Sequence, residues 1–127
     1  MKRMSLNDKL IRTFFAKPHV ASVRHFEGLT IVDVRDALSK FMNTQEIRCE
    51  LAIEEYEGRE VLNALVPLEE GITCWVRAED LKELGCLVEV KIYHELEMSA
   101  LADERLTNLM VLLERTLRRS SRDQRNE

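Results

Sequence analysis

The sequence has few of the residues that break or cross-link a polypeptide: 4 glycines, 2 prolines and 3 cysteines in 127 residues. The glycines stand singly, which excludes a glycine-rich phosphate-binding loop. Cys49, Cys74 and Cys86 are odd in number, widely spaced and without a C-x-x-C pair. Such a set is a poor disulfide framework and is typical of a reducing compartment, so we expect free thiols and a cytoplasmic protein.

Long apolar runs are also missing. No apolar stretch reaches the roughly 18 residues of a membrane span, and the first basic residues are followed by Ser-Leu-Asn-Asp rather than by the apolar block of a signal peptide. A zinc site would need the cysteines together with His19, His25 or His94, which are far apart in sequence. No serine lies in a G-x-S-x-G context. We therefore expect no metal, cofactor, membrane partner or enzymatic activity.

Hydrophobic residues make up 45% of the chain and charged residues 33%, enough for one core at this length. We predict a single domain over residues 1–120 and a flexible basic tail over residues 121–127. The net charge of −4 is unevenly distributed. Residues 1–24 hold six Lys/Arg and one acid, residues 25–114 eight and twenty, and residues 115–127 five and two. An acidic centre with basic ends is typical of a solvated body, or of a protein whose ends meet an anionic partner.

Three amphipathic segments predict helices. Ser5 with Asp8, and Thr30 with Asp33, have the spacing of helix-capping boxes before "LNDKLIRTFFAKP" and "IVDVRDALSKFM". The third segment, "SALADERLTNLMVLLERTLRRS", begins at Ser99 and has acids in its first turns and arginines in its last, which complements the helix dipole. Its apolar stripe consists of Leu106, Leu109, Met110, Leu113 and Leu117.

Alternating apolar residues predict the strands. "EIRCELAI" and "VLNALVPL", joined by "EYEGRE", have the pattern of a β-hairpin, and "GITCWV" and "CLVEVKIYHELEM" follow as two more strands. "RAEDLKELG" between them predicts one or two helical turns, while "VASVRHF" can form a short edge strand. The predicted fold class is α+β, with a mostly antiparallel sheet of about four strands and the order α-α-β-β-β-α-β-α.

The strand "CLVEVKIYHELEM" contains an E-x-K motif. Strand periodicity places Glu89 and Lys91 on one face, where a metal-dependent nuclease would need a carboxylate for Mg²⁺ and a lysine beside the attacking water. Such a site also needs an upstream aspartate, and the nearest one, Asp80, falls in the predicted helical turns before Gly85. A charged, solvated face on a half-buried strand explains the motif more simply. The nuclease is therefore our second alternative.

The second face of the sheet is not purely polar, because Trp75, Leu65 and Tyr93 share it with Glu89 and Lys91. Either a helix or another molecule covers it. Aromatic residues concentrate interface energy, so we predict that Trp75, Leu65 and Tyr93 bind a protein partner.

The stripe of the last helix, with Leu109 and Leu113, can pack on the sheet or pair with its own copy. Our main hypothesis is a non-enzymatic adaptor or regulator that acts through protein–protein contacts and forms a homodimer.

Basic residues near both ends support the first alternative, a nucleic-acid-binding regulator of transcription or replication. Its phosphate-binding residues would be Lys9, Arg12, Arg118, Arg119 and Arg122. The interleaved acids Asp123 and Glu127 weaken the second cluster.

In size, acidity and helix-plus-sheet layout the chain resembles the small dimeric chaperones of type III secretion. The resemblance implies an acidic α+β protein that binds extended effector segments. The strand order predicted here differs from that of these chaperones, and no motif accompanies the likeness.

Overall fold

The computed structural model describes residues 5–125, with side chains up to residue 118, and has the predicted α+β architecture. The predicted order of elements is present, with one additional strand between the first two helices. The helices are α1 (Leu6–Thr13), α2 (Ile31–Gln45) and α3 (Ser99–Arg125), with short 3-10 turns at Lys82–Leu84 and Leu96–Met98. The strands are β1 (His19–Phe26), β2 (Glu50–Tyr56), β3 (Arg59–Glu69), β4 (Ile72–Asp80) and β5 (Cys86–His94).

The strands form a single antiparallel sheet in the order β1-β5-β4-β3-β2. The sheet has five strands rather than about four, because "VASVRHF" does form an edge strand: β1 pairs with β5 along its whole length. Its periodicity is weak because the edge position leaves all eight of its side chains exposed or half-buried.

Local sequence signals determine where the first two helices begin. The Ser5 hydroxyl accepts a hydrogen bond from the Asp8 amide, and Thr30 and Asp33 form the predicted capping box at the start of α2. Helix α2 continues past the predicted end at Asn43 and is closed by Glu46 in a left-handed conformation. Helical backbone in α3 likewise continues beyond Ser120 to Arg125, and the mobility of the predicted tail stays a prediction.

The hairpin between β2 and β3 is confirmed. Its two-residue turn is Glu57-Gly58, and both residues have positive φ, as the type I′ turn requires. Gly85 also has a positive φ and lies against the Phe26 carbonyl, where a Cβ atom would clash with the backbone. The end of β1 and the start of β5 can therefore approach closely only with glycine at this position.

Helices α2 and α3 cover one face of the sheet, which we call the core face. Helix α3 packs mainly over β1 and β5, and α2 packs over β3 and β4. The predicted stripe of α3 is buried here against Val88, Val90 and Ile92 of β5. Burial of this apolar surface is the main favourable contribution to folding. Within the described residues, no helix combines the length and the apolar character needed to cross a membrane.

Candidate functional site

The predicted protein-binding residues Trp75, Leu65 and Tyr93 lie together on the second face of the sheet, but α1 covers them. Trp75 is 5% exposed and Tyr93 7% exposed, and both pack against Leu10 and Phe14 of α1. The Phe14 ring stacks on Tyr93 with centroids 4.0 Å apart and lies 6.3 Å from Trp75. The aromatic surface that the sequence predicts as an interface is therefore occupied by the chain's own helix.

Polar contacts hold this covered cluster in place. The Trp75 indole N–H donates to Asn63 Oδ1 across 2.8 Å, and the Lys91 ammonium lies 4.8 Å from the centre of the indole ring. Asn63 is fully buried, and its Nδ2 group has no hydrogen-bond partner. Burial raises the pKa of the Tyr93 hydroxyl, and the nearby Glu89 carboxylate raises it further.

Helix α1 is fastened to the sheet through β2. The Glu54 carboxylate accepts the Leu6 and Asn7 amides at 3.2 and 3.3 Å, so a negative charge stands at the positive end of the helix dipole. Lys9 forms an ion pair with Glu50 at 3.1 Å. This pair is exposed and contributes little to stability. The main interaction that holds α1 on the sheet is therefore its apolar packing.

Leu109 and Leu113, predicted to form a homodimer, are 6% and 4% exposed and belong to the core between α3, α2 and the sheet. Neither side chain is available for a second copy without unpacking the protomer. Their neighbours Val111 and Leu112 are 45% and 41% exposed. The apolar surface that α3 presents to the outside thus lies on the adjacent stripe.

The basic residues of the nucleic-acid alternative do not converge. Lys9 is paired with Glu50, and Arg12 is exposed on α1, over the second face of the sheet. Arg118 is exposed on α3, which packs on the opposite face. The side chains of Arg119 and Arg122 lie outside the described residues. Lys9 and Arg12 on one side and Arg118 on the other do not form one groove, and nucleic-acid binding stays a prediction.

Asp80 does not lie beside Glu89 and Lys91, as the nuclease hypothesis requires. Asp80 belongs to the end of β4 rather than to helical turns, which corrects that part of the prediction. It pairs with Cys86, so it lies on the core-face side, whereas Glu89 pairs with Arg77 on the second face. Lys91 and Glu89 form an ion pair at 3.4 Å. The three residues of the nuclease hypothesis therefore point to opposite sides of the sheet.

None of the described side chains forms a cluster of three or more histidines, cysteines or acids that could hold a metal ion. Burial raises the pKa of both the Cys74 and Cys86 thiols to about 12, and the nearby carboxylates of Asp80, Asp33 and Glu79 add to the shift at Cys86. Both residues are thus protonated core side chains at neutral pH. All three cysteines are free thiols.

The core face remains open at the β2 edge. Helices α2 and α3 make their main contacts with the other four strands. The apolar residues on the core face of β2, and those in the segment just before it, are only half-buried. We call this set the β2 strip; it consists of Ile47, Cys49, Leu51 and Ile53. The alternation of these residues was visible in the sequence, but their partial exposure depends on the position of β2 at the edge of the sheet, which no local signal indicates.

A groove continues from the strip between α2, α3 and the end of β3. It encloses about 280 Å³ and we call it the α2–α3 groove; it is lined by Phe41, Gln45, Ile47, Leu68, Glu69, Arg105, Asn108, Leu109 and Leu112. At its rim Arg105 donates to Glu69 across 2.6 Å. Ile47 belongs to both features, so the strip and the groove form one continuous apolar surface.

No family model matches the chain, and no curated protein or solved structure is significantly similar to it.

The rim of this surface is acidic. Residues 46–60 hold six glutamates and two arginines. Among the described residues, four of these glutamates have no ion-pair partner and are exposed: Glu46, Glu55, Glu57 and Glu60. Arg48 is exposed in the same stretch and Arg105 is paired with Glu69, so the rim is predominantly rather than purely acidic. An apolar surface with a rim of mainly one charge sign has the composition of a recognition site.

Proposed function

We propose that the protein is a non-enzymatic adaptor or regulator that binds another protein on the apolar surface formed by the β2 strip and the α2–α3 groove. The observation that supports this function is that the core lining continues past both helices to the β2 edge, where it stays half-buried. Contiguous apolar surface with a polar rim is the usual anatomy of an interface.

The apolar side chains that line the groove determine how much binding free energy a partner can gain by covering them. Burying a leucine or phenylalanine side chain stabilises by about 1.5–3 kcal/mol, and a few such side chains dominate most interfaces. Leu112, at 41% exposure, and the half-buried Phe41 are the residues from which a partner would remove most water. We therefore assign the centre of the interface to these two residues.

The test compares two exposed apolar residues. Leu112→Asp places a charge in the groove, whereas Val32→Asp places one on an exposed part of α2, where Val32 is 46% exposed and does not line the groove. Protein tagged at its C-terminus is recovered from its native cells, and the partner is identified by mass spectrometry. The partner is then purified and its affinity measured by calorimetry for the wild type and both variants.

We expect Leu112→Asp to weaken the reconstituted complex at least about tenfold, and Val32→Asp to leave it unchanged. Equal affinity for all three proteins would contradict the proposed surface. Circular dichroism of both variants is the check that they are folded, so that a loss of affinity reports on the interface.

The homodimer remains part of the proposal, with a changed location. Since Leu109 and Leu113 are buried, a second copy would have to use exposed side chains such as Val111 and Leu112. Static light scattering of the wild type over a range of concentrations measures the assembly state. A monomer at all concentrations would remove the dimer and leave the binding of another protein intact. We also retain the cytoplasm as the compartment, since three free thiols suit a reducing environment.

A further inference from the structure

Strand β2 ends the sheet on the side opposite to β1, and within residues 5–125 its only partner strand is β3. An edge strand presents a row of backbone N–H and C=O groups that can pair with another chain. Natural edges are usually blocked by a proline, a bulge, a covering element or charged side chains, especially lysine. The segment Glu50–Tyr56 has no proline or lysine and its register with β3 is regular; its only charged residues are glutamates, which repel an acidic strand but not a basic one.

The hairpin turn identifies which backbone groups face outward. A turn hydrogen bond joins the first and fourth residues, here Tyr56 and Arg59, and these residues are also the last pair of the ladder. Antiparallel pairs alternate between those that exchange hydrogen bonds and those that do not. Glu54 and Ala52 therefore bond to β3, whereas the amides of Leu51, Ile53 and Glu55 point away from the sheet.

The two faces of β2 differ in chemistry. Leu51 and Ile53 continue the core face, while Glu50 and Glu54 lie on the second face. Glu54 accepts the Leu6 and Asn7 amides, and Glu50 pairs with Lys9 but keeps a 53% exposed side chain. A strand added beside β2 would therefore place apolar side chains next to the β2 strip and alternate them with side chains that can reach the exposed Glu50 carboxylate. Glu55 and Glu57 add unpaired negative charge at the turn end.

We propose that β2 binds an extended segment of a partner protein as an additional strand, and that this segment alternates apolar residues with lysine or arginine. The proposal rests on the proposed function and names the chemistry of its partner. An apolar side chain of the segment fits the α2–α3 groove, because Ile47 connects strip and groove. A second copy of β2 is a poorer occupant, since its own acidic side chains would meet those of the first copy.

The test uses a synthetic ten-residue peptide in which lysine alternates with leucine or valine. One control peptide has the same composition with all lysines at one end, and another has glutamate in place of lysine. Binding is measured by fluorescence anisotropy. Amide hydrogen exchange, followed by NMR, then shows where the peptide lies. We expect the alternating peptide to bind at least about tenfold more tightly than either control.

Hydrogen exchange provides the geometric result. In the free protein the amides of Leu51, Ile53 and Glu55 should exchange rapidly, whereas those of Ala52 and Glu54 are already protected by β3. Adding the alternating peptide should slow exchange at the first three. Peptide binding without this change would overturn the proposal, because it would show adhesion by charge alone.

Two substitutions at one exposed residue separate backbone pairing from charge. Glu55→Pro removes an outward N–H that β3 does not use, and an edge strand tolerates proline at such a position. Glu55→Ala removes the same charge and keeps the N–H. We expect Glu55→Pro to weaken binding at least about tenfold and Glu55→Ala by no more than about threefold. Equal effects would overturn strand addition.

The purified natural partner distinguishes the two levels of the proposal. If its affinity falls with Leu112→Asp but not with Glu55→Pro, strand addition is wrong and the proposed function stands. If neither substitution changes the affinity, both are wrong. Loss of affinity with both substitutions supports both the proposed function and strand addition.

Discussion

Trp75 and Asn63 lie on neighbouring strands beneath α1 and are joined by a 2.8 Å hydrogen bond from the indole N–H to the amide oxygen. Both side chains are buried, at 5% and 0% exposure. Since the Asn63 Nδ2 group has no partner, this bond is the only side-chain hydrogen bond that offsets the burial of the amide among the described residues.

The coupling between these two residues can be measured. Asn63→Leu leaves the indole N–H without an acceptor, which costs about 1–3 kcal/mol of unfolding free energy, and Trp75→Phe leaves the amide oxygen without a donor. In the double variant no unpaired polar group remains. Urea unfolding of all four proteins should therefore give a double variant more stable, by about 1 kcal/mol, than the sum of the single losses predicts. Simple additivity would contradict the bond.

Substitution of two adjacent phenylalanines tests whether α1 covers the aromatic cluster of Trp75 and Tyr93. Phe14 is 9% exposed and stacks on Tyr93, whereas Phe15 is 82% exposed. Phe14→Ala should lower the unfolding free energy by about 3 kcal/mol, and Phe15→Ala should change it by less than about 0.5 kcal/mol. Trp75 is the only tryptophan, so its fluorescence should shift to longer wavelength in Phe14→Ala alone. Equal effects of the two substitutions would show that α1 does not cover the cluster.

Much of the fold could be predicted because its signals are local. The capping residues Ser5 and Thr30, the apolar stripe of α3 and the alternation in β2 and β5 all depend on neighbours within a few residues. The hairpin turn at Glu57-Gly58 belongs to the same class of signal. The end of α2 is harder to predict from the sequence, because Glu46 closes the helix in a left-handed conformation that residues other than glycine seldom adopt.

The candidate site could not be predicted in the same way, because it depends on which strand lies at which edge. Asp80 illustrates the difficulty: "RAEDLKELG" has helical composition, yet Arg77 and Asp80 are recruited into β4 by pairing with β5. Tertiary pairing outweighed local propensity. Likewise Trp75 has the character of an interface residue, and only the position of α1 shows that the chain itself covers it.

The buried thiols give a pH dependence of stability. The pKa of the Cys74 thiol is about 12 in the folded protein, above its ordinary value, because burial disfavours the thiolate. The folded state therefore keeps its proton while the unfolded chain loses it, and the unfolding free energy should decrease as the pH rises from about 9 toward about 12. Urea unfolding at several pH values measures this decrease, which should be smaller in Cys74→Ala.

Reactivity at pH 8 provides an independent measurement of the same burial. Cys49 is half-buried on the β2 strip, whereas Cys74 and Cys86 are fully buried. A thiol reagent should label Cys49 in the native protein and the other two only after addition of denaturant. Rapid native labelling of Cys74 would show that the core face opens readily.

Leu112 and Leu113 are neighbours on α3 with opposite roles, and their substitution separates folding from binding. Leu113 is 4% exposed in the core, so Leu113→Ala should lower the unfolding free energy by about 2–5 kcal/mol. Leu112 is 41% exposed at the α2–α3 groove, so Leu112→Ala should lower the unfolding free energy by less than about 1 kcal/mol. The same substitution should weaken binding of the purified partner. Denaturation and calorimetry on the two variants measure both quantities. A large loss of stability with Leu112→Ala would mean that this side chain belongs to the core, and the groove would then lose the residue on which its proposed interface is centred.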